Sequence, residues 1–135
     1  MKIIDLKNKQ IADIESRLDD YDEKHIINEL EGEISIGILD DNNKLIGGLD
    51  ACITTYRILY VNTLFINEAY RRKGYGRALI QEMEKRAKKM GVNTIRLDTF
   101  DYQGKDFYLA LGYQAVGHYE NKEDGYAEYF FMKRI

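Results

Sequence analysis

An apolar run at residues 58–66 leads directly into a basic loop and then into a helical pattern over residues 77–90. A strand that is almost wholly apolar is expected at the centre of a sheet, covered on both faces. The loop carries four basic side chains in seven residues, with the sequence Arg71-Arg72-Lys73-Gly74-Tyr75-Gly76-Arg77. This order predicts a central strand, a tight turn and a long helix.

The loop is interpreted as a cradle for a phosphate group. Gly74 and Gly76 have no side chain to block a ligand, and their backbone can bring several N–H groups onto one anion. The following helix adds its positive end, and no Ser, Thr, Asp or Asn stands at its start to occupy the free N–H groups. The dinucleotide motif fails because it needs a third glycine at Leu79, and the P-loop motif Gly-Lys-Ser/Thr is missing. A basic turn without a ligand is the alternative interpretation.

Length and composition exclude several classes of protein. At 135 residues and a net charge of −3, the chain fits one domain over residues 1–135 and lacks the basic face of a general nucleic-acid binder. No apolar run approaches the roughly 20 residues that span a bilayer, and residues 1–7 lack the long apolar core of a signal peptide. Cys52, His25 and His118 cannot form a disulfide framework or a zinc site, so no metal is expected. We expect a cytoplasmic protein that binds neither nucleic acid nor membrane, with Cys52 as a small buried hydrophobe.

Periodicity in the first part of the chain predicts a helix and a hairpin. Apolar residues recur at helical spacing within residues 7–20, at Ile11, Ile14 and Leu18. Isoleucines at the alternate positions 34, 36 and 38 predict a strand. Residues 40–43 offer a turn into a second strand at residues 44–56.

The helix over residues 77–90 is predicted to present one apolar face, formed by Leu79, Met83, Ala87 and Met90. Glu84 is expected to pair outward with Lys88, and Gly91 is expected to end the helix. A strand around residues 95–97, a helix at 106–111 and an antiparallel pair at 113–119 and 126–133 follow. The strand–helix–strand unit requires a parallel pair. The predicted fold is α/β, with a mixed, mostly antiparallel sheet flanked by helices.

Two motifs in this chain resemble those of one family. The run Arg71-x-x-Gly74-x-Gly76, between a central strand and a long helix, resembles the acetyl-coenzyme A signature of the GNAT superfamily of N-acetyltransferases. Residues 107–113, Phe-Tyr-Leu-Ala-Leu-Gly-Tyr, resemble the second signature of that family. Residues 97–100 with Gln103 are similar to a group of small bacterial members. The resemblance covers residues 33–132.

The resemblance implies an acetyl-CoA-dependent N-acetyltransferase in which an amine attacks the thioester directly in a ternary complex. It implies a splayed central strand whose backbone binds the pantetheine arm beside the parallel pair, and a loop that binds the pyrophosphate. The residues it assigns to acetyl-CoA are Leu64, Phe65, Ile66, Arg71, Arg72, Lys73, Gly74, Tyr75, Gly76, Arg77 and Gln103.

The resemblance also implies two chemical roles. Tyr108 stands where the family keeps a tyrosine beside the thioester sulfur, and its hydroxyl would protonate the leaving thiolate. A phenol with an ordinary pKa of about 10 is protonated at neutral pH. The backbone N–H of Ile66 would stabilise the negative charge that grows on the carbonyl oxygen.

The sequence departs from the family in its general base. Many members carry Glu or Asp on the central strand to accept the proton of the amine, whereas this strand offers only Asn62 and Thr63. Neither side chain can act as a general base. The proton is expected to leave through water held by Asn62, or through Asp50 or Glu33 on neighbouring strands.

A second departure lies seven residues before Tyr108, where the family often has an asparagine that contacts the cofactor. Here the residue is Asp101, and an anion is a poorer neighbour for a phosphorylated ligand. Gln103 is the candidate amide substitute.

Acidic residues dominate residues 13–33, where only Arg17 and Lys24 oppose them. The nine acidic residues are Asp13, Glu15, Asp19, Asp20, Asp22, Glu23, Glu29, Glu31 and Glu33. Their field is expected to attract a cationic amine, and a plain solvated surface is the alternative. The acceptor is a small-molecule or peptide amine, with polyamines, aminoglycosides, amino-acid-like amines and protein amines all open. A homodimer is also open.

Two further function classes stand beside the enzyme. A non-catalytic acyl-CoA sensor or regulatory module is favoured by the missing strand carboxylate and opposed by Tyr108. A structural module without any cofactor is the third class. It is disfavoured because Gly74 and Gly76 would then weaken the start of a helix without binding a ligand in return.

Overall fold

The computed structural model describes residues 1–135 and contains three α-helices and one six-stranded sheet. The elements are α1 (Asn8–Glu23), β1 (Glu33–Leu39), β2 (Leu45–Ile53), β3 (Ile58–Ile66), a 3₁₀ turn (Glu68–Tyr70), α2 (Tyr75–Met90), β4 (Thr94–Phe100), α3 (Lys105–Ala110), β5 (Gln114–Asn121) and β6 (Tyr126–Arg134). The strands lie in the order β1-β2-β3-β4-β6-β5. Only β3 and β4 run parallel, which confirms the predicted mixed, mostly antiparallel sheet.

The core lies between α2 and the sheet. The buried face of α2 consists of Leu79, Ile80, Met83 and Ala87. These side chains form one cluster with buried side chains of β1, β2, β3, β4 and β6, and with Tyr108 of α3. Each leucine, isoleucine or methionine side chain that is fully buried in this way stabilises the fold by roughly 1.5–3 kcal/mol. Since both helices join the same cluster, α2 and α3 cover the same face of the sheet.

The opposite face of β1–β3 is bare and is termed the open face. On β1, buried Ile34 alternates with exposed Glu33 and Ser35, as expected for a strand with one covered side. On β3, Phe65 is 54% exposed. The expectation that this apolar run is covered on both faces is therefore wrong within one chain. Exposed side chains of the open face include Ser35, Asp50, Thr63 and Phe65.

A β-bulge in β3 separates this strand from β4. Asp50 pairs with Thr63 and Ala51 pairs with Val61, so Asn62 is an extra residue on β3. A bulge bends its strand and increases the local twist. The parallel ladder between β3 and β4 accordingly consists of only three pairs and ends where Tyr60 faces Arg96. Beyond that pair the two strands diverge and leave a cleft between them.

Glycines set both ends of α2. Gly74 precedes the helix with φ = 86°, and Gly91 follows it with φ = 99°, a left-handed conformation that side chains oppose. The N–H of Gly91 donates to the carbonyl of Lys88 and closes the last turn. The prediction that Gly91 ends this helix is confirmed.

One predicted contact on α2 is wrong. Glu84 does not pair with Lys88, because β6 brings Lys133 to the half-buried flank of the helix. The Lys133 Nζ donates to Glu84 Oε2 at 3.0 Å, and the hydroxyl of Tyr113 donates to Glu84 Oε1 at 3.1 Å. Glu84 therefore fastens α2 to the end of the sheet.

The first helix forms as predicted but stands off from the rest of the chain. None of its residues is buried, and its apolar residues Ile11, Ile14 and Leu18 are 42%, 50% and 57% exposed.

The second strand ends at Ile53 instead of residue 56. None of the helices combines the length and the hydrophobicity that crossing a bilayer requires.

Candidate active site

The divergence of β3 and β4 opens a cleft of about 330 Å³ beside α3. Its walls are formed by Val61, Asn62, Thr63, Leu64, Phe65, Leu97, Asp98, Thr99, Gln103, Gly104, Phe107 and Tyr108. Five of the residues predicted for the site meet in this cleft, namely Asn62, Leu64, Phe65, Gln103 and Tyr108. Ile66 and the basic loop are not part of this lining, because they lie further along the chain at the end of β3 and beyond it.

Tyr108 contributes the wall of the cleft that comes from α3. Its ring packs edge-on against Phe107 and Tyr113, with centroids 5.1 Å and 5.7 Å apart, and the residue is only 8% exposed. The hydroxyl makes no hydrogen bond within the protein. Every fully buried polar side-chain atom does have such a partner, so this hydroxyl is not fully buried and opens into the cleft that Tyr108 lines. Burial raises the pKa of Tyr108 to about 12, which keeps the phenol protonated.

The upper part of β3 turns two N–H groups away from β2. The N–H of Asn67 donates to the carbonyl of Ile46 near the start of β2, at 2.8 Å. N–H groups alternate in direction along a strand, so those of Ile66 and Leu64 point to the opposite side, toward β4. The strands no longer pair there. Leu64 lines the cleft together with Tyr108, and its N–H therefore joins that of Ile66 as a candidate donor.

The basic loop presents unpaired backbone donors at the start of α2. The first helical hydrogen bond runs from the N–H of Ala78 to the carbonyl of Gly74, so the N–H groups of Tyr75, Gly76 and Arg77 have no helical partner. Gly74 has no side-chain cap, and a β-carbon placed on it would meet no atom within 4 Å. Such open donors at a helix N-terminus suit an anion.

The basic side chains around this loop differ in their contacts. The Nε of Arg71 donates to the carbonyl of Ile66 at 2.8 Å, and its guanidinium lies over the ring of Phe65 at 5.2 Å. Lys73 lies 5.5 Å above the ring of Tyr70. Arg71 therefore fastens the loop to the end of β3, while Lys73 remains on the surface.

Gly76 is needed for a reason other than the predicted one. A β-carbon at this position would lie 3.2 Å from the ring of Phe107, which is tighter than most β-carbon contacts and would require the ring to shift. The missing side chain therefore allows α2 to start directly against α3. The N–H of Gly76 remains free for an anion, whereas the position that a β-carbon would occupy points toward Phe107 and not toward a ligand.

The carboxylate of Asp98 lies in the cleft and was not predicted as a catalytic residue. The hydroxyl of Tyr60 donates to its Oδ2 at 2.6 Å, and this bond raises the pKa of Tyr60 to about 12. A pattern in the sequence could have found it, because exposed Asp98 stands between buried Leu97 and Thr99 on β4. That alternation places Asp98 on the side of the strand opposite to the core.

The structure separates the two carboxylates predicted as alternative bases. Asp50 lies in a depression of about 480 Å³ on the open face, and the hydroxyl of Ser35 donates to its Oδ1 at 2.6 Å. This depression shares Thr63 and Phe65 with the cleft. Glu33 lines neither cavity.

Asn62, the predicted water holder, lies on the bulge of β3. Its amide Nδ2 is 3.5 Å from the sulfur of half-exposed Cys52 on β2. The contact is long, and the side chain remains exposed and part of the cleft wall. Cys52 is therefore less buried than predicted.

The model of the acetyltransferase (GNAT) family matches residues 3–113, which is most of the chain. The chain belongs to this family. A crystal structure of an acetyltransferase from Bacillus cereus superposes on the GNAT chain with a TM-score of 0.92 and 27% identity, over 100% of this chain and 98% of that one. An acetyltransferase of Agrobacterium fabrum is 29% identical over 103 residues, or 76% of this chain and 74% of the relative. These matches confirm the predicted family, the predicted fold and the prediction that the chain is an acetyltransferase.

Two further acetyltransferases are similar over part of the chain. An aminoglycoside 6'-N-acetyltransferase complexed with coenzyme A has a TM-score of 0.66 at 21% identity, covering 76% of this chain and 72% of its own, and it supports the fold alone. An L-ornithine N5-acetyltransferase of Arabidopsis thaliana is 35% identical over 57 residues, or 41% of this chain. The match spans only a quarter of that relative.

In this GNAT chain, Asp101 and Gln103 both serve the local fold. The N–H of Ala127 donates to Asp101 Oδ2 at 3.2 Å, so the carboxylate extends the pairing of β4 with β6. The N–H of Phe100 donates to Gln103 Oε1 at 2.9 Å. The NH₂ of Gln103 remains available in the cleft, which is compatible with its predicted contact to the cosubstrate.

The acidic segment does not reach the GNAT cleft of its own chain. Most of its carboxylates lie on α1 or on the connection that follows, and α1 has no buried residue. Glu33, its last member, pairs with Cys52 at the start of β1. None of these acidic residues lines the cleft, so the expected attraction of a cationic amine is not served by the cleft walls of a single chain.

Proposed function

We propose that this protein transfers the acetyl group of acetyl-CoA to a primary amine by direct attack in a ternary complex. The observation that carries the proposal is the cleft between β3 and β4, into which a buried tyrosine hydroxyl opens. The relative whose name specifies an amine, an L-ornithine N5-acetyltransferase similar over 41% of this chain, supports transfer to nitrogen. We further propose that residues 1–135 act as one domain and that the cytoplasm is its compartment.

The proposed binding of acetyl-CoA uses backbone more than side chains. Beyond Tyr60, the edge of β3 that faces β4 has unpaired groups, and an extended pantetheine arm can pair with them as an added strand. The N–H groups at the start of α2 then bind the pyrophosphate, with Arg72, Lys73 and Arg77 supplying positive charge nearby. Acetyl-CoA supplies the activated acetyl carbon.

In the proposed reaction, the neutral amine nitrogen attacks the acetyl carbon, and a C–N bond forms while negative charge moves to the oxygen. The N–H of Leu64 or Ile66 stabilises that charge, because both groups point to the cleft side of β3. The C–S bond then breaks, and its electron pair stays on sulfur. The products are an acetylated amine and a thiol.

Tyr108 is proposed to donate a hydrogen bond, and then its proton, to the sulfur. A free thiol has a pKa of about 8.5, whereas burial raises the pKa of Tyr108 to about 12. Proton transfer to a solvated thiolate would therefore be unfavourable. Inside the cleft the thiolate is desolvated as well, which raises its basicity and reduces the mismatch. The hydrogen bond stabilises the leaving group before the proton moves.

Asp98 is proposed to accept the proton that the amine releases, directly or through water held by Asn62. It lines the same cleft as Tyr108, and only one of its two oxygens is bonded to Tyr60. Asp50 lies on the open face, where it is proposed to attract the amine cation before its deprotonation. This arrangement supplies the carboxylate that β3 itself does not carry, and it weighs against a non-catalytic acyl-CoA sensor.

The proposal is tested by thiol release from acetyl-CoA in the presence of polyamines, aminoglycosides, amino acids and peptides. Mass spectrometry of the best acceptor should show one added acetyl group on nitrogen. Tight binding of acetyl-CoA with no thiol release for any amine class would instead support the sensor.

A further inference from the structure

We propose that two copies of this chain exchange residues 1–23, here termed the arm. The arm of each copy lies across the open face of the other and completes its acceptor site. The exchange itself is inferred from two uncovered surfaces of the fold, whereas its effect on binding of the acceptor amine rests on the proposed function.

The arm has an apolar surface that nothing in its own chain covers. Its exposed large apolar side chains are Met1, Ile3, Ile4, Leu6, Ile11, Ile14, Leu18 and Tyr21. Those on α1 recur at three- and four-residue intervals, so they form one stripe along the helix. In proteins most of the stability of such a helix comes from packing its apolar face and not from the helix alone. The arm therefore needs a surface to pack against.

The open face is a matching bare surface. Its depression of about 480 Å³ has a low floor where Ser35, Gly37 and Gly48 lie, and Leu45 and Phe65 line it with apolar side chains that are 64% and 54% exposed. The apolar composition of β3 is that of a strand covered on both faces, yet α2 and α3 cover only one. A helix laid on this floor would supply the missing cover.

The chain between the arm and β1 is tied to the body by backbone hydrogen bonds, which leaves only a short connection to the arm. The N–H of Leu30 donates to the carbonyl of Tyr56 at 3.2 Å, and the N–H of Ile53 donates to the carbonyl of Gly32 at 2.9 Å. Only residues 24–29 remain between α1 and these anchors. The Bacillus cereus structure aligns with 100% of this chain at a TM-score of 0.92, so the alignment includes a segment that corresponds to the arm.

A second copy satisfies both surfaces at once. In a twofold dimer each arm meets the open face of the partner, and this self-complementary exchange is a common route to closed dimers. Full burial of the eight apolar side chains of one arm would remove on the order of 800 Å² per copy from water, which is comparable to one partner's share of a standard interface. The exchanged contact is therefore large enough for a stable dimer.

The exchange brings the acidic segment to the acceptor side of the cleft. The depression that the arm would cover contains Asp50 and shares Thr63 and Phe65 with the cleft. The polar faces of α1 carry carboxylates such as Asp19, Asp20 and Asp22. In the dimer these groups of the second copy join Asp50 around an entering amine cation, so each site is incomplete without the other chain.

Sedimentation of the full chain tests the exchange without any enzymatic assay. The wild-type protein should sediment as a dimer at micromolar concentration, and Ile14→Asp combined with Leu18→Asp should sediment as a monomer. Val116→Asp is the matched control, because Val116 is 56% exposed on β5, away from both surfaces. The double variant should keep its affinity for acetyl-CoA, which shows that the body is folded. A wild-type monomer, or a dimer that persists in the double variant, would overturn the exchange.

Complementation then tests the shared site. The double arm variant should have a KM for the best amine at least tenfold higher, and Tyr108→Phe should have a low kcat. A mixture of the two should exceed the sum of their separate activities at low amine concentration, because the intact arm of one chain completes the intact body of the other. A mixture that dimerises without this gain would overturn the shared site. If no amine is acetylated by the wild type, the proposed function fails and the sedimentation result still decides the exchange.

Discussion

The hydroxyl of Tyr60 donates a hydrogen bond of 2.6 Å to Asp98 Oδ2 at the point where β3 and β4 stop pairing. Tyr60 and Arg96 form the last parallel pair, and Asp98 lies two residues further along β4. The side-chain bond therefore joins the strands just where their backbones separate. Because the bond to Asp98 raises the pKa of Tyr60 to about 12, Tyr60 remains a donor throughout the neutral range.

Asp98→Asn should lower kcat by roughly 10²-fold, since an amide cannot accept the proton of the amine. The KM for acetyl-CoA should change little. The matched control is Glu128→Gln, because the hydroxyl of Tyr119 donates to Glu128 at 2.7 Å in a similar tyrosine–carboxylate pair outside the cleft. Steady-state kinetics of both variants distinguish a chemical role from a structural one. Equal kcat values in the two variants would remove Asp98 from the mechanism.

Gly74→Val should weaken acetyl-CoA binding at least tenfold, because a side chain there enters the space above the free N–H groups of α2. Gly125→Val is the control: Gly125 has φ = 77° and, like Gly74, no atom within 4 Å of an added β-carbon. Both variants should lose a similar stability, roughly 1–2 kcal/mol, from the left-handed backbone. Calorimetric titration and thermal unfolding measure the two effects. An unchanged affinity in Gly74→Val would show that the loop is not the phosphate site.

Tyr108→Phe should reduce kcat by roughly 10²-fold and leave acetyl-CoA affinity nearly unchanged, as expected for a contact made in the transition state. Tyr113→Phe removes another hydroxyl from the same buried cluster, where it donates to Glu84. That control should lose about 1 kcal/mol of stability and keep its kcat. The prediction fails if Tyr108→Phe turns over normally at saturating substrates.

The pH dependence of activity and stability should reflect the raised pKa of Tyr108. Because the folded pKa is about 12, the hydroxyl stays protonated, and kcat should not fall between about pH 7 and pH 10 through loss of this acid. The unfolded phenol has a pKa of about 10, so the stability from burying neutral Tyr108 is complete below pH 10 and is lost as pH rises toward 12. Thermal unfolding on both sides of pH 10 should therefore show a smaller alkaline loss in Tyr108→Phe than in the wild type. An equal loss in both proteins would contradict the assignment.

The elements of this fold are predictable from local patterns, whereas several site contacts are not. The strand at Ile58–Ile66, the helix that follows and the end at Gly91 arise from periodicity and glycine chemistry within a few residues. Asp98 meets Tyr60 across 38 positions of sequence, and that contact depends on the register of a parallel pair. Gly76 meets Phe107 only because two helices share one face of the sheet. Local patterns contain neither relationship.

The position of α1 illustrates the same limit for packing. The spacing of Ile11, Ile14 and Leu18 correctly predicts a helix with an apolar stripe, but amphipathicity does not specify which surface the stripe meets. Likewise, the apolar run of β3 indicates two covered faces without identifying what covers them. Within a single chain, α2 and α3 cover one face of β3, and no element covers the other.

The bulge at Asn62 divides β3 into two halves with opposite inward positions. Before it, the odd-numbered residues Leu59 and Val61 face the core, and after it the even-numbered residues Leu64 and Ile66 do so. Removing this one residue would join the halves into a regular strand in which Leu64 still faces inward and Phe65 outward, so the core pattern would survive while the bend is lost. The straightened strand could also continue its ladder with β4 and close the gap. The existence of the cleft thus depends on the number of residues in β3, and side-chain substitutions that preserve the bulge should leave the cleft open.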